Sequence, residues 1–409
     1  MKTNLWTDNH PRNFWQCISD VPDSHWQTAL IDALPVLELA DLPRDTDTLL
    51  SLTLGESRFG PGHWTLSLPK RMYYHLKPVL PRALTRVLRQ LYSSPEKSSA
   101  GIPWPIEPRY MKFLWATMAR LLRIVPEHEL CIRPFWPEGF RYALVLTHDI
   151  ESNEGQKYVR AVADLEESLG FRSSFNFVPE GYPLDMDLID ELRQRGFEIG
   201  VHGLTHDGKL FNSRAKFERS AEKINGYLRD LGAVGFRAPL TIRHPEWMQA
   251  LNIEYDLSFF DTDPFEPIPG GTMSIWPFFL GHFVELPYTL VQDYTLTSIL
   301  QETSPRIWLE KVDFIQAHRG MALINTHPDY LQNQTTRCIY HEFLQNIKGR
   351  QDSWNALPRE VAAWWRARTS SNPASSEHNP MAVRLLDDEL EFRQVSSSRS
   401  STSELLRQN

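Results

Sequence analysis

Between residues 140 and 366 short apolar runs alternate with amphipathic stretches, and no other feature limits the possible folds of this chain so strongly. The runs fall at 143–147, 174–178, 198–201, 235–236, 257–260, 283–286 and 322–326. Between most of them lie helical patterns. Residues 156–169 place Val159, Val162, Leu165 and Leu169 on one side, and 188–195 and 217–231 behave likewise. Strands that alternate with helices imply a parallel sheet with crossover connections. Seven such units in roughly 225 residues suit a barrel better than an open sheet, since a full eight-unit barrel takes ~250 residues. The expected fold is α/β: a distorted (β/α)7 barrel with an N-terminal, mainly helical extension and a disordered C-terminal tail.

Four regions follow from this reading. Residues 1–66 are irregular and acidic, with nine acidic and four basic side chains in the first sixty and a short helical patch at 26–37. Residues 67–135 read as a basic helical extension interrupted by Pro78, Pro81, Pro95, Pro103 and Pro105; eleven basic side chains face two acidic ones over 70–124. The barrel occupies 140–366. From 367 to 409 the chain is serine-rich and reads as largely disordered, apart from a short helix near 381–392. The net charge of −8 argues against a nucleic-acid partner. Cys17, Cys131 and Cys338 form no C-x-x-C pair, which excludes a disulfide framework or a cysteine zinc site. The first residues hold no apolar signal core, and no apolar run approaches ~18 residues, so a cytoplasmic protein is expected. The basic stretch at 70–124, with Tyr73, Tyr74, Trp104 and Trp115, leaves peripheral membrane contact open, although the polar side of packed helices explains it more simply.

Polar residues gather where the strands end. The run 142–147 leads into His148, Asp149, Ile150 and Glu151; 196–201 leads into His202, Gly203, Leu204, Thr205 and His206. Gly235-Phe236 leads into Arg237, 257–260 into Asp261 and Asp263, and 321–326 into His327. In a parallel barrel these ends share one face, where active sites are built. Histidines four apart, such as His202 and His206, share a helical face and can chelate one ion. Asp149 and Glu151, two apart in an extended chain, point the same way.

The order of these pieces resembles the NodB-homology, polysaccharide deacetylase family (carbohydrate esterase family 4), over roughly residues 140–340. The matching stretches are Thr147-His148-Asp149, His202 to His206, Arg237-Ala238-Pro239, Asp261-Thr262-Asp263, and Leu323-Ile324-Asn325-Thr326-His327. Ile150 stands where the family has a second Asp, with Glu151 next to it, so the likeness is greatest to members reading T-H-D-V-D. Gly203 stands where the family has Ser or Thr.

The resemblance implies a hydrolase of C–N amide bonds that removes an N-acetyl group from a carbohydrate or sugar-linked precursor, with a carbohydrate or glycolipid as substrate. It implies a divalent metal, zinc first and cobalt or nickel as alternatives, held by His202, His206 and either Glu151 or Asp149, with Glu151 favoured. Asp149 would then be the base, kept ionised by Arg237, and His327 the acid that protonates the departing amine. Asp261 or Asp263 would orient that imidazole. Two alternatives stand beside it: a deformylase or other non-peptide C–N hydrolase on the same barrel, and a non-catalytic carbohydrate-binding relic.

Overall fold

The computed structural model describes residues 4–66, 70, 72, 102–369 and 379–395. The first strand, β1 (Glu129–Ile132), lies outside the barrel. The barrel begins with β2 (Tyr142–Ile150), a nine-residue strand buried throughout, and continues through β3 (Ser174–Phe177), β4 (Glu198–His202), β5 (Gly235–Arg237) and β6 (Tyr255–Asp256). Next come β7 (Phe278–Leu280) and β8 (Phe283–Glu285), an antiparallel hairpin, then β9 (Met321–Thr326). Strands β2, β3, β4, β5, β6 and β8 pair in that order, all parallel, and β9 pairs with the other side of β2. The ring closes because the chain beyond β8 returns to β9: the N–H groups of Thr289 and Leu290 both donate to the Leu323 carbonyl at 3.0 Å. A distorted seven-stranded barrel results, with β10 (Ser353–Asn355) laid along the start of β2.

The helices cover the barrel as their patterns predict. Asn153–Leu169 buries Val159, Val162 and Ala163, starts at a Ser152 side chain that accepts from the Gly155 N–H, and ends at left-handed Gly170. Met186–Gln194 and Arg214–Asp230 match the other two helical stretches. The sixth strand differs from the expectation at 257–260, for Ser258 bonds back to the Asp256 carboxylate through both its N–H and its hydroxyl. The regular ladder ends at Asp256, and 257–260 becomes a loop held by the Leu257 N–H on the Phe236 carbonyl at 2.9 Å and by a Phe260–Tyr288 bridge.

In the N-terminal region, Asp23–Ala33 packs on Arg109–Ile124, whose buried side carries Phe113, Leu114, Met118, Leu121 and Leu122 while Lys112 and Arg123 face outward. The helices read within 67–101, Tyr73 and Tyr74, and the serine clusters at 370–378 and 396–409 lie outside the described residues. Among the described residues no helix is long and apolar enough to cross a membrane.

The short helix expected near 381–392 is a β-hairpin instead. β11 (Met381–Leu386) pairs with β1 and with β12 (Glu389–Gln394), all antiparallel. Asp387 and Asp388 both have positive φ, +47° and +66°, the two-residue geometry whose twist matches paired strands and which aspartate tolerates. Met381, Ala382 and Val383 are buried, and the Phe392 ring stacks on Trp15. Burial of this kind is worth roughly 1.5–3 kcal/mol for each large apolar side chain. Truncation after Thr369 is therefore expected to lower the melting temperature by several degrees in a thermal scan. An unchanged melting temperature would mean that the hairpin adds nothing to the fold.

Candidate active site

On β2 side chains alternate, so Thr147 and Asp149 point into the barrel and His148 points to the helix layer. His148 is spent there: Nδ1 lies 2.7 Å from Thr326 Oγ1 and Nε2 2.7 Å from Glu166 Oε1. Asp149 is buried and held on every side. Its Oδ1 accepts from Asn176 Nδ2 at 3.1 Å and Arg237 Nη1 at 3.2 Å, and its Oδ2 accepts from Asn325 Nδ2 at 2.9 Å. Burial by itself favours the neutral acid, but the Arg237 guanidinium, aided by His202 and His327, holds Asp149 down at about 2. Gly200, the register partner of Asn176 on β4, has no side chain because a Cβ there would lie 2.0 Å from Asn176 Oδ1.

His202 ends β4, but His206 lies in the following loop, so the pair does not share a helix. A tight turn brings them together, with ring centroids 5.2 Å apart. Gly203 makes that turn at φ +66°, and a Cβ would strike the Pro239 ring at 2.4 Å, which excludes Ser or Thr at this position. His202 Nδ1 lies 3.1 Å from the Arg237 carbonyl and donates to it, so Nε2 keeps its lone pair. That Nε2 is buried without a hydrogen-bond partner. Burial, outweighing the nearby Asp149, lowers the His202 pKa to about 4, so the ring is neutral. His206 Nε2 stands 3.0 Å from Glu151 Oε1. One donor atom each from Glu151, His202 and His206 lie within 4.8 Å of one another. A neutral imidazole aimed by a backbone carbonyl, a second imidazole and a carboxylate form a donor set suited to a divalent ion such as zinc.

His327 follows β9 and faces this cluster, its Nε2 3.6 Å from Glu151 Oε1. Its partner is neither Asp261 nor Asp263. Asp293, which follows the β8 segment, takes the Nδ1 proton at 2.7 Å on one oxygen and the His327 backbone N–H at 2.8 Å on the other. Burial opposes charge on the ring, yet Asp293, with Glu151 and Asp149 behind it, raises its pKa to about 10. Asp261 instead pairs with Lys311 at 2.8 Å, and Asp263 turns toward Tyr288. Both aspartates lie beyond the 257–260 loop and not at a strand end. Asn176, Asn325 and Asp293 were not among the expected site residues. The two asparagines occupy inward positions near strand ends, a signal in plain view. Asp293 lies seven residues beyond the apolar run at 283–286 and carried none.

Leu240, Thr241, Pro267, Gln292, Tyr294 and Tyr330 complete a cavity, open to solvent, around the ligand cluster. The aromatic residues near 259–279 are mostly core: Phe259, Phe260, Phe265, Trp276 and Phe278 are buried, and the loop at 264–271 lends Pro267 to the cavity. The N-terminal segment braces one wall. Glu56, fully buried, pairs with Arg243 at 2.6 Å and accepts the Gly271 N–H at 2.7 Å. Arg243, sandwiched by Phe259 and Phe260, then holds the Thr241 carbonyl at 3.0 Å.

Asp263 supplies a stability test. Burial first, then the charge of Glu266, pushes its carboxyl up to about 8, with Tyr288 and distant Lys311 as its other ionisable neighbours. The unfolded chain releases this proton near pH 4. Stability present below that pH is therefore lost progressively as pH rises toward 8. Asp263→Asn is expected to shrink the fall in melting temperature between pH 5.5 and 8.5, an effect of a few kcal/mol at most, since one pKa unit is worth ~1.4 kcal/mol. An identical fall in both proteins would show that Asp263 does not hold the proton.

No protein-family model matches the chain. No curated protein sequence matches it. Among solved structures it is similar to a candidate polysaccharide deacetylase from Mycobacterium smegmatis, at 17% identity over 58% of this chain and 95% of that one, TM-score 0.48. It is also similar to Puue allantoinase, at 15% identity over 57% of this chain and 93% of that one, TM-score 0.47. A third is a probable polysaccharide deacetylase from Pseudomonas aeruginosa PAO1, at 16% identity over 57% and 94%, TM-score 0.47. Likeness at this level carries no functional argument, and the reading of the site rests on its geometry.

Proposed function

We propose that the chain is a metal-dependent hydrolase of C–N amide bonds that removes an N-acetyl group from a carbohydrate or sugar-linked compound. The observation that carries this reading is the buried, unpartnered Nε2 of His202 beside His206 and Glu151, flanked by a carboxylate held ionised and an imidazole held charged. Glu151, His202 and His206 would hold the ion, which when bound supplies Lewis acidity to the acyl carbonyl and to water. Asp149 would receive the proton of the attacking water. Its ionised state under Arg237, and its Oδ2 at 3.8 Å from His202 Nε2, support that role. His327 would give a proton to the departing amine, since amide nitrogen leaves poorly unless protonated as the bond breaks. Asp293 fixes the ring so that Nδ1 faces the carboxylate and Nε2 faces the cavity.

The reading is tested by incubating zinc-loaded protein with N-acetylated sugars, UDP-linked sugars and acetylated glycolipids and measuring acetate. Release above a chelator-treated control is expected for at least one class. Release from none of them, with zinc bound, would remove the proposal.

A further inference from the structure

We infer that Gln292, oriented by the buried carboxylate of Glu266, is a specificity-determining residue whose Oε1 accepts a hydrogen bond from a hydroxyl that the substrate carries near its acylated nitrogen. The inference rests on the hydrolase reading only for the identity of the bond that is cleaved.

Glu266 lies behind the cavity wall at 8% exposure. Its Oε1 accepts from Gln292 Nε2 at 2.6 Å and from the Tyr288 hydroxyl at 2.8 Å, and its Oε2 meets the Thr241 hydroxyl at 2.6 Å. A carboxylate only accepts, so the half of the Gln292 amide facing it must be the NH2 group. Turned over, the amide would set two oxygens 2.6 Å apart. The Tyr288 hydroxyl stands between the two acids, 2.8 Å from Glu266 Oε1 and 3.1 Å from Asp263 Oδ2. The Gln292 carbonyl oxygen is thereby turned away from Glu266, on a residue that lines the cavity.

The wall is also pre-set. Leu240 and Thr241 are both left-handed, φ +57° and +50°, a conformation that costs a β-branched residue about 1–3 kcal/mol and persists only when its surroundings enforce it. Here the enforcement is visible: Arg243 holds the Thr241 carbonyl, Glu266 holds its hydroxyl, and Glu56 of the N-terminal segment holds Arg243. A rigid acceptor at a cavity wall discriminates because a substrate lacking the matching donor leaves it unpaired. An N-acylated polyhydroxy ring amine meets that requirement and a plain alicyclic amide does not.

The test uses two probes of similar ring size, N-acetylglucosamine and N-cyclohexylacetamide, titrated into the zinc-loaded full chain and followed by ligand-observed NMR. The native protein is expected to bind the sugar at least about ten-fold more tightly, the scale of one hydrogen bond to a pre-set acceptor. Gln292→Leu should bring the two within about two-fold of each other by weakening the sugar alone. Gln292→Ser, a smaller side chain, guards against a packing artefact and should act the same way. Glu266→Gln should reproduce the loss with Gln292 intact, because the amide is then free to turn. Failure of the native protein to bind or prefer the sugar, or an unchanged preference in Gln292→Leu, overturns the inference. Acetate measured in the same samples judges the hydrolase reading separately. Preferential binding without acetate release keeps this inference and leaves that reading to the wider substrate panel; acetate release without preference overturns this inference and keeps that reading.

Discussion

In His202→Ala, bound zinc is expected to fall from one ion per chain to well below one after dialysis. Three side chains form the donor set, and His202 is the one whose lone pair is aimed by the Arg237 carbonyl and left with no other partner. A pre-aimed imidazole loses little freedom on binding an ion, so its removal costs more than one ligand's share. Deleting one of three ligands is expected to weaken binding by several kcal/mol, about a thousand-fold or more. A second readout follows from linkage. An ion at a hundred times its dissociation constant stabilises the native state by about 2.7 kcal/mol. Zinc should therefore raise the melting temperature of the native protein and leave that of His202→Ala almost unmoved. Elemental analysis giving one ion per chain in the variant would refute the metal centre as drawn. Glu151→Gln should lose the ion as well, while Asp149→Asn should retain it, because Asp149 is already occupied by Arg237, Asn176 and Asn325.

His327→Gln carries the second large effect, on turnover rather than on the metal. Amide hydrolysis is expected to fall by about 10²–10⁴-fold in kcat/KM, the range for loss of a placed acid. Zinc content should stay at one per chain, since His327 is not in the donor set. An activated ester such as 4-nitrophenyl acetate should lose far less, because its leaving group departs without a proton. Asp293→Asn should follow the same pattern more weakly: the Asn can still accept from the ring or the His327 backbone N–H, but the charge that keeps the ring protonated is gone. Equal losses on amide and ester would assign His327 to substrate positioning, and the proton donor would have to be sought elsewhere in the cavity.

Much of this protein is legible in its sequence because the informative features are local and periodic. Alternating apolar runs and amphipathic helices are properties of neighbouring residues, and burial of both faces of a parallel strand leaves a near-continuous apolar signature, as 142–147 does. The strand-end rule then places Asp149, Glu151, His202, His206, Arg237 and His327 on one face, and the structure does bring these six together. Periodicity misleads where a turn intervenes. His202 and His206 fit a helical spacing but meet across a turn made by Gly203, and 381–392 fits a short helix until Asp387 and Asp388 take the left-handed conformation.

What the tertiary structure alone decides is which charges become partners. Asp261 and Asp263 directly follow an apolar run and Asp293 does not, yet the path of the backbone assigns the first to Lys311, the second to Tyr288 and the third to His327. Glu56 and Arg243, 187 residues apart, form a buried pair for which no local pattern exists. The physical reason is one of range. Secondary structure is set by dihedral preferences and side-chain spacing over a few residues, whereas a buried charge must find its counter-charge wherever the folded chain supplies one. The sequence by itself determined the barrel and the residues at its mouth; the fold determined how each is aimed, paired and charged.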